Sequence, residues 1–314
     1  MKILVTGGAG FIGSHLCAAL LNRGHEVVAY DNLLLGKEKF LEPCKASSHF
    51  RFVKADLLDR PMLEKNMDGI EAVFHLAANS DISHGATHTH VDLELGTIAT
   101  YNTLEAMRKC GVKKIVFAST SAIYGEADQK PTPESYGPLF PISFYGASKL
   151  ACEGLVSAFS HNYDIQAFMY RFANIVGSHS THGAIHDFVK RLKKEPEYLQ
   201  VLGNGTQKKS YLHVSDCVSG LLYGFENLKD SFQCFNLASQ GVTTVKFIAE
   251  EVVNQLGGTA EIRYESTDRG WRGDVPFTWL DGTLYHSKGW QAHMNSDEAV
   301  QKAVGEIIKE INAQ

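Results

Sequence analysis

The chain has no cysteine pair at C-x-x-C spacing. Its six cysteines (Cys17, Cys44, Cys110, Cys152, Cys217 and Cys234) lie far apart, several among apolar neighbours. That usage argues against a disulfide framework and points to reduced thiols, so a cytoplasmic protein is expected. No apolar run approaches the roughly 20 residues of a membrane helix, and no membrane partner is expected. A first strand read from Lys2 leaves no room for a signal peptide. Positive charge is not in excess: 30 Lys and Arg stand against 35 Asp and Glu. This excludes the basic footprint of a nucleic-acid binder. The one basic run, residues 190–194, reads as the solvated end of a helix. Internal repeats and low-complexity segments are also missing.

What is present is an ordinary globular composition. A length of 314 residues suits one large domain or two modest ones. The first half alternates short β-branched runs with amphipathic stretches. Strands are expected at Lys2–Thr6, Glu26–Tyr30, Arg51–Lys54, Ala72–His75, Lys114–Ala118 and Ile165–Arg171. Helices are expected at Phe11–Arg23, Thr97–Cys110 and Ser143–Asn162. This alternation predicts an α/β fold with a parallel sheet covered on both faces. After Gly177 the pattern becomes irregular. Helices near Gly183–Lys194, Ser215–Asn227, Val245–Leu256 and Ser296–Ile311 suggest a smaller second lobe, residues 178–314. A later strand near Gln233–Leu237 belongs with the first domain, residues 1–177. The turn-rich stretch Gly125–Ile142 holds four of the eight prolines, and reads either as one wall of a site or as a surface loop.

Residues Thr6 to Gly13 form a G-x-x-G-x-x-G segment between the first strand and the first helix. Gly7 permits the tight turn, Gly10 a close backbone approach, and Gly13 tight helix–sheet packing. The amides of Phe11 and Ile12 then open the helix toward a pyrophosphate. Asp31 ends the second strand, with Asn32 beside it. A carboxylate there accepts both ribose hydroxyls and repels a 2′-phosphate, which favours NAD over NADP. Asp56 and Leu57 follow the third strand as candidate adenine contacts. Leu76, Ala77 and Ala78 follow His75 as small residues under a cofactor.

Tyr145 and Lys149 stand four apart, one turn apart on one helical face. A nearby ammonium stabilises a phenolate, so Tyr145 is the candidate general base. The hydroxyls of Ser119, Thr120 and Ser121 lie at the carboxyl end of the fifth strand, the edge where open α/β sheets bind ligands. Two histidine groups (His84, His88, His90 and His179, His182, His186) lack a completing cysteine or carboxylate, so no metal is expected.

These segments, with Arg171–Gly177, Gly203–Asp216 and Gly273–Pro276, resemble the extended short-chain dehydrogenase/reductases. Within these they look most like the NAD-dependent epimerase/dehydratase family, the UDP-glucose 4-epimerase group above all. The resemblance implies a doubly wound parallel Rossmann sheet with a smaller C-terminal substrate-binding α/β lobe. It implies NAD as cofactor and Thr120, Tyr145 and Lys149 as catalytic residues. It implies Asn174 as a diphosphate contact, Lys209 where the family has a phosphate-gripping arginine, and Arg272 or Arg269 near the second phosphate arginine. Thr278 falls at the gatekeeper position, where a small residue implies tolerance of N-acetylated sugars. Related dehydratases and decarboxylases carry acids just after Thr120, whereas this chain has Ser121 and Ala122. The resemblance therefore implies a sugar-nucleotide 4-epimerase acting on a nucleotide-diphosphate sugar, and a homodimer joined through helices near Thr97–Cys110 and Ser143–Asn162. A one-way dehydrogenase or ketoreductase, or a non-catalytic NAD-binding protein, are the other readings.

Overall fold

Alternation of β-branched runs with glycine turns dictates the frame. In a computed structural model, which describes residues 1–270 and 273–313, the strands β1 (Lys2–Thr6), β2 (Glu26–Asp31), β3 (Phe50–Lys54), β4 (Ala72–His75), β5 (Lys114–Thr120) and β6 (Gln166–Phe172) join strand Phe232–Leu237 in one sheet. Its order is β3-β2-β1-β4-β5-β6 and then Phe232–Leu237. The pairs β1–β2, β1–β4, β2–β3 and β4–β5 are parallel. This is the doubly wound Rossmann arrangement. Its order reverses between β1 and β4, which opens a crevice at their carboxyl ends.

The chain divides into two compact units. The first contains Met1–Ile123, Ser143–Arg171 and Leu221–Phe235; the second contains Tyr124–Ile142, Phe172–Gly220 and the stretch from Asn236 onward. In the first unit, Leu4, Val28, Val73, Ile115, Phe117 and Met169 from five strands pack against Leu104 and Met107 of helix Ala99–Cys110 and Val156 of helix Phe144–Tyr163. Burying each such side chain contributes about 1.5–3 kcal/mol. In the second unit, Val189, Val252, Val300 and Val304 join three helices, Ala184–Lys194, Val245–Gln255 and Ser296–Asn312. Asn295 starts the last of these with a reciprocal capping box to Glu298, which satisfies two otherwise orphaned amides.

Two local expectations change. The helix expected over Thr97–Cys110 begins as a π-helix, Leu93–Ile98, and becomes α-helical at Ala99. Ser119 and Thr120 lie inside β5 rather than beyond it, and Ser121 opens a 3-10 turn to Tyr124. The helix Arg60–Asn66, started by the Asp59 side chain and a proline in its first turn, was not anticipated, since it is too short for a clear apolar period.

Candidate functional site

The chain leaves β1 into a turn that only glycine suits. Gly7 has φ of +67°, and a Cβ there would come within 2.9 Å of the Ala77 amide nitrogen. A Cβ at Gly13 would fall far inside contact distance of the Gly7 carbonyl oxygen. The small residues after His75 pass beside this turn: Leu76 N–H donates to the Thr6 carbonyl at 3.2 Å and Ala77 N–H to the Thr6 hydroxyl at 3.3 Å. Gly10 caps helix Phe11–Asn22 with no side-chain hydrogen bond, and the first turn holds no acid. The amides of that first turn and the positive end of the helix are thus left for an anion.

Asp31 borders the same loop. Its carboxylate accepts Ala9 N–H at 3.0 Å and Leu33 N–H at 2.8 Å. Burial pushes this carboxyl up, and the two amides pull it back down. Asn32 donates to Asp56 at 2.9 Å, and Asp56 also accepts Leu58 N–H at 2.9 Å. Leu57 is buried beside them. A bare helix N-terminus for a pyrophosphate and a carboxylate with spare lone pairs for ribose hydroxyls fit a dinucleotide without a 2′-phosphate.

The catalytic candidates meet in the first unit. Ser143 caps helix Phe144–Tyr163 by accepting Gly146 N–H at 3.1 Å. In the first turn of this helix, the half-buried Tyr145 is hydrogen-bonded to the Thr120 side chain. Burial pushes the Tyr145 phenol up to about 12; the Thr120 bond opposes this, and the charges of Asp92 and Cys152 add to it. Lys149 is buried, donates to the Ala118 carbonyl at 2.6 Å, and lies over the Phe117 ring at 4.8 Å. Burial lowers its pKa, while Cys152 and Glu153 favour its charged form. Glu153, one further turn along, accepts Ser119 Oγ at 2.6 Å and both Nε (3.0 Å) and Nη2 (2.8 Å) of Arg171. The helix carrying the phenol and ammonium is thereby tied to the ends of β5 and β6.

In the second unit, Asn174 heads strand Asn174–Val176 and lies opposite Tyr211 of Tyr211–His213. Lys209 pairs in register with Thr278 on one side and Thr243 on the other, so two separate sequence signals become neighbours. The Lys209 ammonium forms an ion pair with the buried Asp274 at 2.6 Å. Asp274 also accepts Gly270 N–H at 3.2 Å. Arg269 donates to the Asp274 carbonyl at 3.1 Å and pairs with Glu126 at 2.5 Å. Arg272, the other candidate, and Trp271 lie outside the described residues. The pairing of Lys209 with Asp274 was not readable from sequence, because 65 residues separate the two. The buried Asp92 was also missed, for no periodicity or motif marks it. Among the described residues no group of three His, Cys, Asp or Glu side chains is placed to hold a metal.

Residues 3–238 match the family described as NAD dependent epimerase/dehydratase family. A UDP-glucose 4-epimerase of Bacillus subtilis (strain 168) is 30% identical over 325 residues, spanning 95% of this chain and 94% of the relative. A crystal structure of a UDP-galactose 4-epimerase shares 37% identity and superposes with a TM-score of 0.88, covering 99% of this chain and 100% of the other. A Thermotoga maritima UDP-glucose 4-epimerase, solved with UDP-glucose, shares 31% identity with a TM-score of 0.89 over 99% and 100% of the two chains. With the glycine turn, Asp31 and the Tyr145–Lys149 helix in place, the chain belongs to the NAD dependent epimerase/dehydratase family, and NAD is its cofactor.

Proposed function

We propose that this protein is a sugar-nucleotide 4-epimerase, acting on UDP-glucose and UDP-galactose or their N-acetyl forms. The observation that supports this best is the Thr120–Tyr145 hydrogen bond beside the buried Lys149, in a turn where Ser121 and Ala122 supply no acid. An acid there would be needed to drive elimination; without one, reversible oxidation and reduction at a single carbon remains.

In this reading Tyr145 takes the proton of the C4 hydroxyl while Thr120 holds that oxygen. NAD, held at the glycine turn and Asp31, would supply the reversible hydride acceptor that oxidation and re-reduction of C4 require. Tyr145 then gives the proton back, so protons and electrons balance over the cycle. A phenol raised by burial is a poor base near neutral pH. The ammonium of Lys149 and the positive charge of the bound cofactor favour its phenolate. Lys149, held by the Ala118 carbonyl, would also hold the cofactor's ribose. Asn174 and Lys209 hold the diphosphate, with Arg269 or Arg272 assisting. For Lys209 this requires the phosphate to compete with Asp274.

Tyr145→Phe tests the reading. Turnover should fall by at least about 10³-fold, the scale of a lost acid–base group, while NAD stays bound. Turnover near the wild-type rate would sink it. During wild-type turnover the NADH absorbance should show no net change; stoichiometric NADH production would instead identify a one-way dehydrogenase. Thr278, a small residue next to Lys209, supports acceptance of N-acetylated sugars. Failure to epimerise UDP-N-acetylglucosamine in a preparation active on UDP-glucose would remove that part.

We further infer a cytoplasmic homodimer. Six free cysteines support the compartment. The exposed Ile98 and Tyr101 beside helix Phe144–Tyr163 support the pairing face. Among the described residues no helix is long and apolar enough to cross a membrane.

A further inference from the structure

His75 ends β4 with a fully buried imidazole that the proposed reaction does not use. It shares a sheet face with Val73, two positions before it, which packs in the apolar cluster against helix Ala99–Cys110. An aliphatic side chain would suit that pattern. An imidazole buried there costs free energy unless both ring nitrogens find partners. Both do. Nδ1 lies 2.7 Å from Thr6 Oγ1, and Nε2 lies 3.0 Å from Thr100 Oγ1. Burial, and then the charge of Lys149, push the imidazole pKa down to about 3. The neutral ring offers one donor and one acceptor, and each hydroxyl can take the complementary part.

The place of these partners matters. Thr6 and His75 are the last registered pair of β1 and β4. Beyond them lies the crevice where the strand order reverses. Thr6 Oγ1 also accepts the Ala77 N–H at 3.3 Å. A Cβ at Gly7 would strike the nitrogen of that same amide, so the glycine turn and Ala77 have little room to shift. On the other side, Thr100 belongs to helix Ala99–Cys110 and accepts the Cys152 thiol at 3.3 Å. Cys152 lies on helix Phe144–Tyr163, three positions after Lys149. The imidazole also stacks on the Phe117 ring, with centroids 5.8 Å apart. Side-chain contacts inside the first unit thus run from the glycine turn through His75 to two helices.

We infer that His75 is a positioning residue for the cofactor: its two hydrogen bonds brace the end of β1 against helix Ala99–Cys110 and keep the glycine turn and the Ala77 amide at the spacing that holds NAD. It acts through Thr6. The inference concerns NAD binding and does not depend on which reaction follows. A histidine that only fills the core would contribute to stability alone. A brace contributes to cofactor retention as well.

The test follows NAD release when the NAD-loaded full chain is diluted into NAD-free buffer. Thermal unfolding of the same samples is read by circular dichroism. Thr6→Val keeps the β-branched shape and removes the hydroxyl. His75→Phe keeps a ring against Phe117 and removes both hydrogen bonds. Each should release NAD about tenfold faster than wild type, the effect of one stranded buried polar group. His75→Asn places an amide where Nδ1 stands, keeps the Thr6 bond and gives up the Thr100 bond, so it should release NAD more slowly than His75→Phe. Val73→Ala, a core change on the same face, should lower Tm and leave NAD release at the wild-type rate. Should His75→Phe fail to fold, Thr6→Val carries the comparison. Release at the wild-type rate from a folded Thr6→Val or His75→Phe overturns the inference. So does equal acceleration by Val73→Ala, or release from His75→Asn as fast as from His75→Phe.

Discussion

Replacing Glu153 by alanine would strip the most enclosed ion pair of the first unit. Glu153 and Arg171 are 6% and 8% exposed, and the guanidinium meets the carboxylate through two nitrogens, at 3.0 and 2.8 Å. Ser119 adds a third bond at 2.6 Å. Removing one partner of a buried pair strands the other charge away from water, at a cost of about 3–5 kcal/mol. A lost kcal/mol lowers Tm by about 2–4 °C in chains of 150–250 residues. The expected fall is then roughly 6–20 °C, followed by circular dichroism or calorimetry. The companion variant Glu153→Met with Arg171→Met removes both charges and restores apolar packing. It should recover most of the loss, since a buried pair exchanged for well-packed apolar groups is often neutral. The single variant should also lose turnover, because Glu153 lies one turn from Lys149 and binds the residue next to Thr120. A cost under about 1 kcal/mol for Glu153→Ala would refute the reasoning, by showing that Arg171 finds water or another partner at no expense.

Glu306 gives a pH prediction. Burial by itself would raise its carboxyl, but the hydrogen bond and charge of His213, the Ser178 amide and Lys302 bring it down to about 2, below the usual 4.5 of a glutamate. The folded value lies below the unfolded one, so its stabilisation is present above about pH 4.5 and is lost as pH falls toward about 2. Allowing for partial exposure this amounts to about 1–2 kcal/mol. Glu306→Gln should flatten that part of an acid-denaturation curve, and an unchanged acid limb would contradict the assignment. Gly13→Val should abolish NAD retention, or folding of the first unit, because its Cβ would collide with the Gly7 carbonyl oxygen; a variant that still co-purifies with NAD would disprove the packing argument. Light scattering should give twice the chain mass, and a monomer mass at micromolar concentration would remove the dimer.

The long periodic segments were readable because the physics that forms them is local. The helix from Phe11 and the strand Ala72–His75 follow from apolar spacing and from the glycines that bound them. The glycine turn was equally legible, since a positive φ at Gly7 can be anticipated from the residue itself. The π-helix at Leu93–Ile98 was not. It depends on Gly96 lying against Ser148, 52 positions away, and no local propensity encodes that approach. The same holds for Lys209, whose neighbours Thr243 and Thr278 are set by strand register.

The residue types and their spacing therefore settled the sheet's alternation, the glycine turn that opens helix Phe11–Asn22 and the placement of Tyr145 and Lys149 on one face. These rest on backbone geometry repeating every two or 3.6 residues. Tertiary structure decided the electrostatics around them. Thr120 reaches the phenol, Ala118 holds the lysine, Glu153 neutralises Arg171, and Asp92 is enclosed beside the turn that carries Tyr145 and Lys149. Each of those contacts joins segments distant in sequence, and the depth of burial that sets their strength exists only once the chain has folded.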